Sequence, residues 1–227
     1  MRLRPEQKIG TYRIGGSDIR QVTSEEDLGV TVASSLKTRE HTNKVCAAAR
    51  GMLAAIRRSF AGLSKQAFQF LYASHVRSRL EYGGAAAFPC TKGEMHQLEQ
   101  VQRAATRSVV GMVGLTYHQR LQALNLFPQR YRRTRGDLLY VRRILRGDMG
   151  PELMAHFPLR GESRTRGHSL TLLKQRPGAL AAEFRLSRRA VNLWNALPAE
   201  VVEEDNEDIF KQRLDEFLAE GWLNERQ

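Results

Sequence analysis

The residues with the clearest chemistry are Arg130-Tyr131-Arg132-Arg133-Thr134-Arg135, with Arg142, Arg143 and Arg146 following. A guanidinium offers a planar fork of donors that grips phosphate oxygens in pairs and stacks on bases, which an ammonium does not do. On one helix, Tyr131, Leu138, Val141 and Leu145 recur at spacings that face a core. Arg130, Arg132, Arg133, Arg135, Arg142 and Arg143 then cover much of the remaining circumference. Such a helix suits a phosphate backbone, where counterion release gives salt-dependent affinity. The alternative is a solvated cationic face, and nothing in it picks out readers of base edges. Arg164, Arg166 and His168 form a second candidate phosphate contact in an irregular stretch, against the plainer reading that His168 and Ser169 fix a turn. Tyr117 and His118 could stack on a base, but an aromatic at helical spacing is more often a core residue.

Catalysis has less to stand on. There is no Asp-Asp pair, and Glu204-Asp205 and Glu207-Asp208 lie in an acidic C-terminal run without a Gly-rich phosphate loop. The six histidines, at 41, 75, 96, 118, 156 and 168, show no zinc spacing with one another or with Cys46 and Cys90. The two cysteines read as buried reduced thiols. Gly15-Gly16 is a turn, and no serine has the strained elbow of a hydrolase nucleophile. No catalytic, cofactor or metal residue is therefore expected.

Charge points to a polyanionic partner. The chain of 227 residues carries 36 Lys and Arg against 24 Asp and Glu, a formal charge of +12. Residues 101–190 hold 18 basic against 5 acidic residues, whereas residues 199–220 hold 2 against 9. A basic middle and an acidic end predict a phosphate-binding surface, with the acidic helix docked on it or placed elsewhere. No run reaches the roughly 18 apolar residues of a membrane span. The N-terminus lacks the apolar centre of a signal peptide. An intracellular protein, cytosolic or nuclear, is the expectation, with no membrane partner.

These side chains need elements to hold them. Thr11–Ile14 and Ile19–Val22 read as a hairpin about Gly15–Asp18, and Asp27–Val32 as a third strand. From residue 38 the period is helical. Val45, Ala49, Met52, Leu53, Ile56 and Phe60 form one stripe, with Lys44, Arg50, Arg57 and Arg58 off it. Ser64 can cap a helix carrying Phe68, Leu71, Tyr72, Val76 and Leu80, which Gly83-Gly84 and Pro89 interrupt. Thr91 or Lys92 opens the next, with Met95, Leu98, Val101, Ala105 and Val109. A short helix spans about Tyr117–Leu124, and Pro128 starts one running to about Arg146. Residues 156–180 have no sustained period. Helices return at Phe184–Leu197 and along Ile209, Phe210, Leu214, Phe217 and Leu218. The predicted class is α+β and mostly helical, in three parts: strands over 1–35, a helical region over 36–127, and a basic region with an acidic helix over 128–227.

Several blocks have no local structural rule behind them, notably Thr165-Arg166-Gly167-His168-Ser169-Leu170 and Arg189-Ala190-Val191-Asn192-Leu193-Trp194-Asn195-Ala196-Leu197-Pro198. Together with Tyr12–Gly16, Glu26–Val30, Ala54–Phe60, Val76–Gly83, Leu98–Thr106 and Tyr131–Leu138, they occur in the order of a known family. The chain resembles the C-terminal portion of non-LTR retrotransposon reverse transcriptases of the jockey-like and chicken-repeat-like group, over roughly residues 10–218. The resemblance implies a palm remnant over residues 10–32, thumb-like helices to about 125 that track a template–primer duplex, and a downstream region that holds RNA.

It also implies what this chain lacks. The family's polymerase needs palm carboxylates, including a Tyr-x-Asp-Asp motif upstream of the hairpin, to hold two Mg2+ ions. This sequence starts beyond that motif. The expectation is a fragment that binds RNA or an RNA–DNA duplex and catalyses nothing alone. Two alternatives stand beside it: part of an active enzyme completed by a separate palm and fingers polypeptide, or an inert product of a decayed element.

Overall fold

The computed structural model describes residues 12–161, 168–174 and 184–224. It is a predominantly helical α+β fold with two small antiparallel hairpins at its N-terminal end. In the first hairpin β1 (Arg13–Ile14) pairs with β2 (Ser17–Asp18); in the second β3 (Ser24–Asp27) pairs with β4 (Val30–Ala33). Both turn on two residues, Gly15-Gly16 and Leu28-Gly29, all with positive φ. Such turns match the twist of the flanking strands. The expected pattern differs here in two ways. The second strand begins at Ser17, because the glycines alone complete the turn. Asp27 to Val32 is not one strand but bends back at Leu28, a branched residue at φ +46 where Asn or Gly is usual. Its sequence therefore carries no turn signal.

Helix α1 (Arg39–Ser59) buries Val45, Cys46, Ala49, Leu53 and Ile56. After the chain reverses, Ser64 caps α2 (Lys65–Leu71), its Oγ accepting from the Ala67 amide at 3.2 Å. The helix continues through a π-helical turn, Tyr72–Arg77, into α3 (Ser78–Glu81). Thr91 and Glu94 form a capping box that starts α4 (Lys92–Thr106), and Thr116 and Gln119 do the same for α5 (Tyr117–Ala123). Phe68, Tyr72, Val76, Leu80, Leu98 and Val101 pack with the α1 stripe into a first core. Phe60, the last member predicted for that stripe, lies past the helix end and is 48% exposed.

A second core gathers on α6 (Gln129–Leu145). It continues through α7 (Pro151–Met154), α8 (Leu186–Arg189), α9 (Val191–Asn195), α10 (Ala199–Val202) and α11 (Glu207–Asn224). The helix expected over Phe184–Leu197 is divided at Ala190. Tyr131, Leu138 and Val141 of α6 meet Trp194, Phe210 and Leu214 at its centre. A buried polar set joins the two cores. The Tyr72 hydroxyl donates to Gln102 at 2.7 Å, Gln102 donates to the Phe127 carbonyl at 2.9 Å, and the Gln129 amide donates to Glu99 at 2.8 Å.

The two blocks without a local rule fit each other. Trp194 Nε1 donates to the Leu170 carbonyl at 2.9 Å, and His168 Nε2 donates to the Trp194 carbonyl at 3.1 Å. Asn195 bonds both the amide and the carbonyl of Leu172, each at 2.8 Å, as a neighbouring strand would. These bonds join residues some 25 apart in the chain, so no local window displays them.

Candidate nucleic-acid interface

The α6 arginines are largely engaged inside the molecule. Arg132 makes a two-pronged ion pair with Glu81 of α3, and Arg135 one with Asp215 of α11 at 2.6 and 3.0 Å. Arg133 is buried, with one nitrogen donating to the Leu80 carbonyl at 2.7 Å. Arg142 is buried over the Phe210 ring and donates to the carbonyls of Glu204 and Asp205. Arg143 pairs with Glu207, and Arg146 with Asp205. Arg130 is exposed and has no partner among the described residues. The acidic run therefore docks on the arginine helix, and apolar packing holds it there. Arg133 and Arg142 reach no external phosphate without unpacking the core, and Arg132 and Arg135 only by giving up a carboxylate.

His168 is likewise buried, wedged against Trp194, so it is a packing residue rather than a surface contact. Arg164 and Arg166 lie outside the described residues. Tyr117 has the Arg103 guanidinium 4.0 Å above its ring and its hydroxyl bonded to Glu99, which leaves that face no room for a base.

Where the halves meet, Arg189 grips Asp137 with two bonds of 2.8 Å and also donates to the Ala85 carbonyl. Burial pushes the Asp137 carboxyl above the usual range against the opposing pull of Arg189, and burial lowers the Arg133 guanidinium. Asp137 and its two cationic neighbours are cemented into the fold.

A different surface carries free charge. From Glu40 to Glu81 the sequence has seven Lys and Arg and no acid between those two carboxylates. On α1 the exposed positions from 43 to 58 fall into two stripes. Asn43, Ala47, Arg50, Ala54 and Arg57 form one; Lys44, Ala48, Gly51, half-buried Ala55 and Arg58 form the other. Every residue there is small, neutral or cationic. Arg50 and Arg58 have no partner among the described residues, and Arg57 donates to the Ala104 carbonyl at 2.5 Å. Lys44 pairs with Glu26 of β3. The face is bordered by α4, just past whose end Arg107 is exposed, and by the π-turn and α3, where His75 and Arg79 are exposed. Periodicity puts these cations off the apolar stripe. The signal that would have marked them is the absence of any carboxylate over 41–80.

At one end of this face the hairpins meet the helices. His41 is 1% exposed and holds β4 to the end of α3. Its Nδ1 accepts from the Thr31 amide and its Nε2 donates to the Tyr82 carbonyl, each at 3.3 Å. Burial lowers its pKa below 6.5, the Tyr82 bond opposes that, and Arg133 and Lys44 lower it further. Cys46 is buried and its thiol is pushed up by that burial, as suits an unreactive core residue.

Among the described residues no three His, Cys, Asp or Glu come together to hold a metal ion. No described helix is long and apolar enough to cross a membrane. A scan against protein-family models, a search of curated proteins and a search of solved structures find no match to this chain.

Proposed function

We propose that this chain binds RNA or an RNA–DNA duplex as a non-catalytic C-terminal part of a reverse transcriptase of the non-LTR retrotransposon group, with the phosphate backbone lying along the exposed face of α1. The lineage rests on the ordered blocks of sequence. The location rests on one observation: Arg50, Arg57 and Arg58 are exposed on a face of small residues and have no carboxylate partner among the described residues. From Lys44 to Arg58 the helix runs roughly 21 Å, and its small side chains let a backbone come close. Phosphate contacts of this kind give affinity and position without reading sequence.

Binding to a short RNA–DNA duplex, followed by fluorescence anisotropy across a salt series, tests this. Affinity should fall steeply with salt, and the double variant Arg57→Ala, Arg58→Ala should flatten the logarithmic slope by roughly two. Arg143→Ala, which removes an exposed partner of Glu207, should leave the slope unchanged. A variant slope equal to that of the unmodified protein sinks the α1 location. An extension assay with template–primer, deoxynucleotides and magnesium should show no product, and product above background removes the non-catalytic part.

The second reading, an enzyme completed by another polypeptide, draws on the hairpins. Ile14 is 73% and Leu28 85% exposed, and each hairpin has two strands only among the described residues. Such edges are open to pairing. Extension activity that appears only on mixing with a palm-bearing fragment would favour it.

A further inference from the structure

We infer that the groove between the second hairpin turn, α1 and the π-turn takes one unpaired nucleotide of the bound strand, its base against Tyr82 and its phosphate at Arg79. This rests on the nucleic-acid reading of the α1 face and names what the end of that face does. The groove encloses about 390 Å3. Gly29 walls it from the turn, Lys44 and Ala48 from α1, Ser74 and His75 from the π-turn, and Arg79 from α3.

Its aromatic wall is fixed in advance. The Tyr82 hydroxyl donates to the Leu28 carbonyl at 2.6 Å, and the ring lies so close over Gly29 that a Cβ there would sit 3.0 Å from it. Gly29 has φ +79, so backbone and ring together require glycine. The ring is nonetheless 52% exposed. An exposed aromatic held at both ends loses little freedom on stacking, and any base offers it a π-face.

The polar lining suits the rest of a nucleotide. Arg79 spends Nε on the His75 carbonyl at 3.1 Å, and its terminal nitrogens have no partner among the described residues. Lys44 is paired with Glu26, so Arg79 is the freer phosphate group. The Ser74 hydroxyl donates to the Phe70 carbonyl at 2.7 Å and its Oγ also lies 2.6 Å from His75 Nδ1, while the Ser78 hydroxyl donates to the Ser74 carbonyl at 2.6 Å. Toward the groove Ser78 can only accept, as the N–H groups of a base edge require. The second hairpin turn bounds the groove at this end of the α1 face, with Gly29 in its wall and Leu28 85% exposed beside it.

The test compares two RNA–DNA duplexes by anisotropy, one blunt and one ending in a single unpaired adenosine, with adenosine monophosphate as competitor. The overhang should bind about tenfold tighter, the worth of one base stacked on an aromatic. Tyr82→Ala should bring the two affinities together. Tyr82→Phe, which keeps the ring and gives up the bond to Leu28, should preserve the difference. Arg79→Gln should reduce it. Equal binding of both duplexes by the unmodified protein overturns the inference and leaves the α1 face standing, whereas failure to bind either at low salt removes both. An equal loss on both duplexes in Tyr82→Ala overturns it too, because Tyr82 then only props the hairpin. Displacement of the overhang by low concentrations of the mononucleotide assigns the groove to a free nucleotide and overturns its assignment to the bound strand.

Discussion

Helices α1 and α6 carry similar cationic sequences and use them in opposite ways. On α6, carboxylates from Glu81, Asp205, Glu207 and Asp215 meet the guanidiniums, and Arg133 and Arg142 are buried. On α1, Arg50, Arg57 and Arg58 face solvent with no acid against them among the described residues. Charge density along a chain thus says little about a binding surface. What decides is whether the fold delivers carboxylates to the same place. The arginines of α6 act as mortar, Arg132 and Arg133 toward the first half and Arg135, Arg142, Arg143 and Arg146 against the acidic run, whereas those of α1 remain available.

The strongest way to break this contrast is to attack the mortar. Arg189→Ala leaves Asp137 buried without its partner and should cost about 3–5 kcal/mol in denaturant melts. A loss below about 1 kcal/mol would mean that the pair is solvated, and the distinction between the helices would weaken. On α1 the sharpest probe is Gly51. Nothing lies within 4 Å of a Cβ placed there, so Gly51→Ala should stabilise the protein by about 0.5–1 kcal/mol. Gly51→Glu should weaken duplex binding while leaving the melt close to normal. Intact binding in Gly51→Glu would show that nucleic acid does not touch this face.

The subtlest probe is pH. His41 has a folded pKa below its ordinary 6.5. Its contribution is complete above the ordinary value, where it is neutral folded and unfolded. That contribution is lost as pH falls from there through the folded pKa. Protonated Nδ1 would face the Thr31 amide donor to donor. Protection of the β3 and β4 amides, measured against the intrinsic exchange rate at each pH, should therefore fall between about pH 7 and pH 5, ahead of α6. Uniform exchange across both regions would remove His41 as the tie.

Much of the helical framework was legible in local sequence, since a stripe such as Val45, Ala49, Leu53 and Ile56 and a cap such as Thr91 with Glu94 need no distant partner. The bend at Leu28 was not legible, because a leucine stands where the usual turn residues would announce it. Nor was the engagement of the arginines. Arg135 is paired by a carboxylate 80 residues on, and no window along the chain contains both. The candidate face was half visible: its cations were placed off the core stripe, but their freedom depends on where every acid ends up.

The π-turn at Tyr72–Arg77 sets a rotational phase. Each α-helical residue turns the chain by roughly 100°, and a π-turn holds one residue more than the α-helix it interrupts. Winding these same residues as an unbroken α-helix would swing everything beyond the turn by about that angle. Glu81 would leave Arg132, and Tyr82 would leave Gly29. One surplus residue thus keys the helix so that a single end grips the second core on one side and props the hairpin on the other.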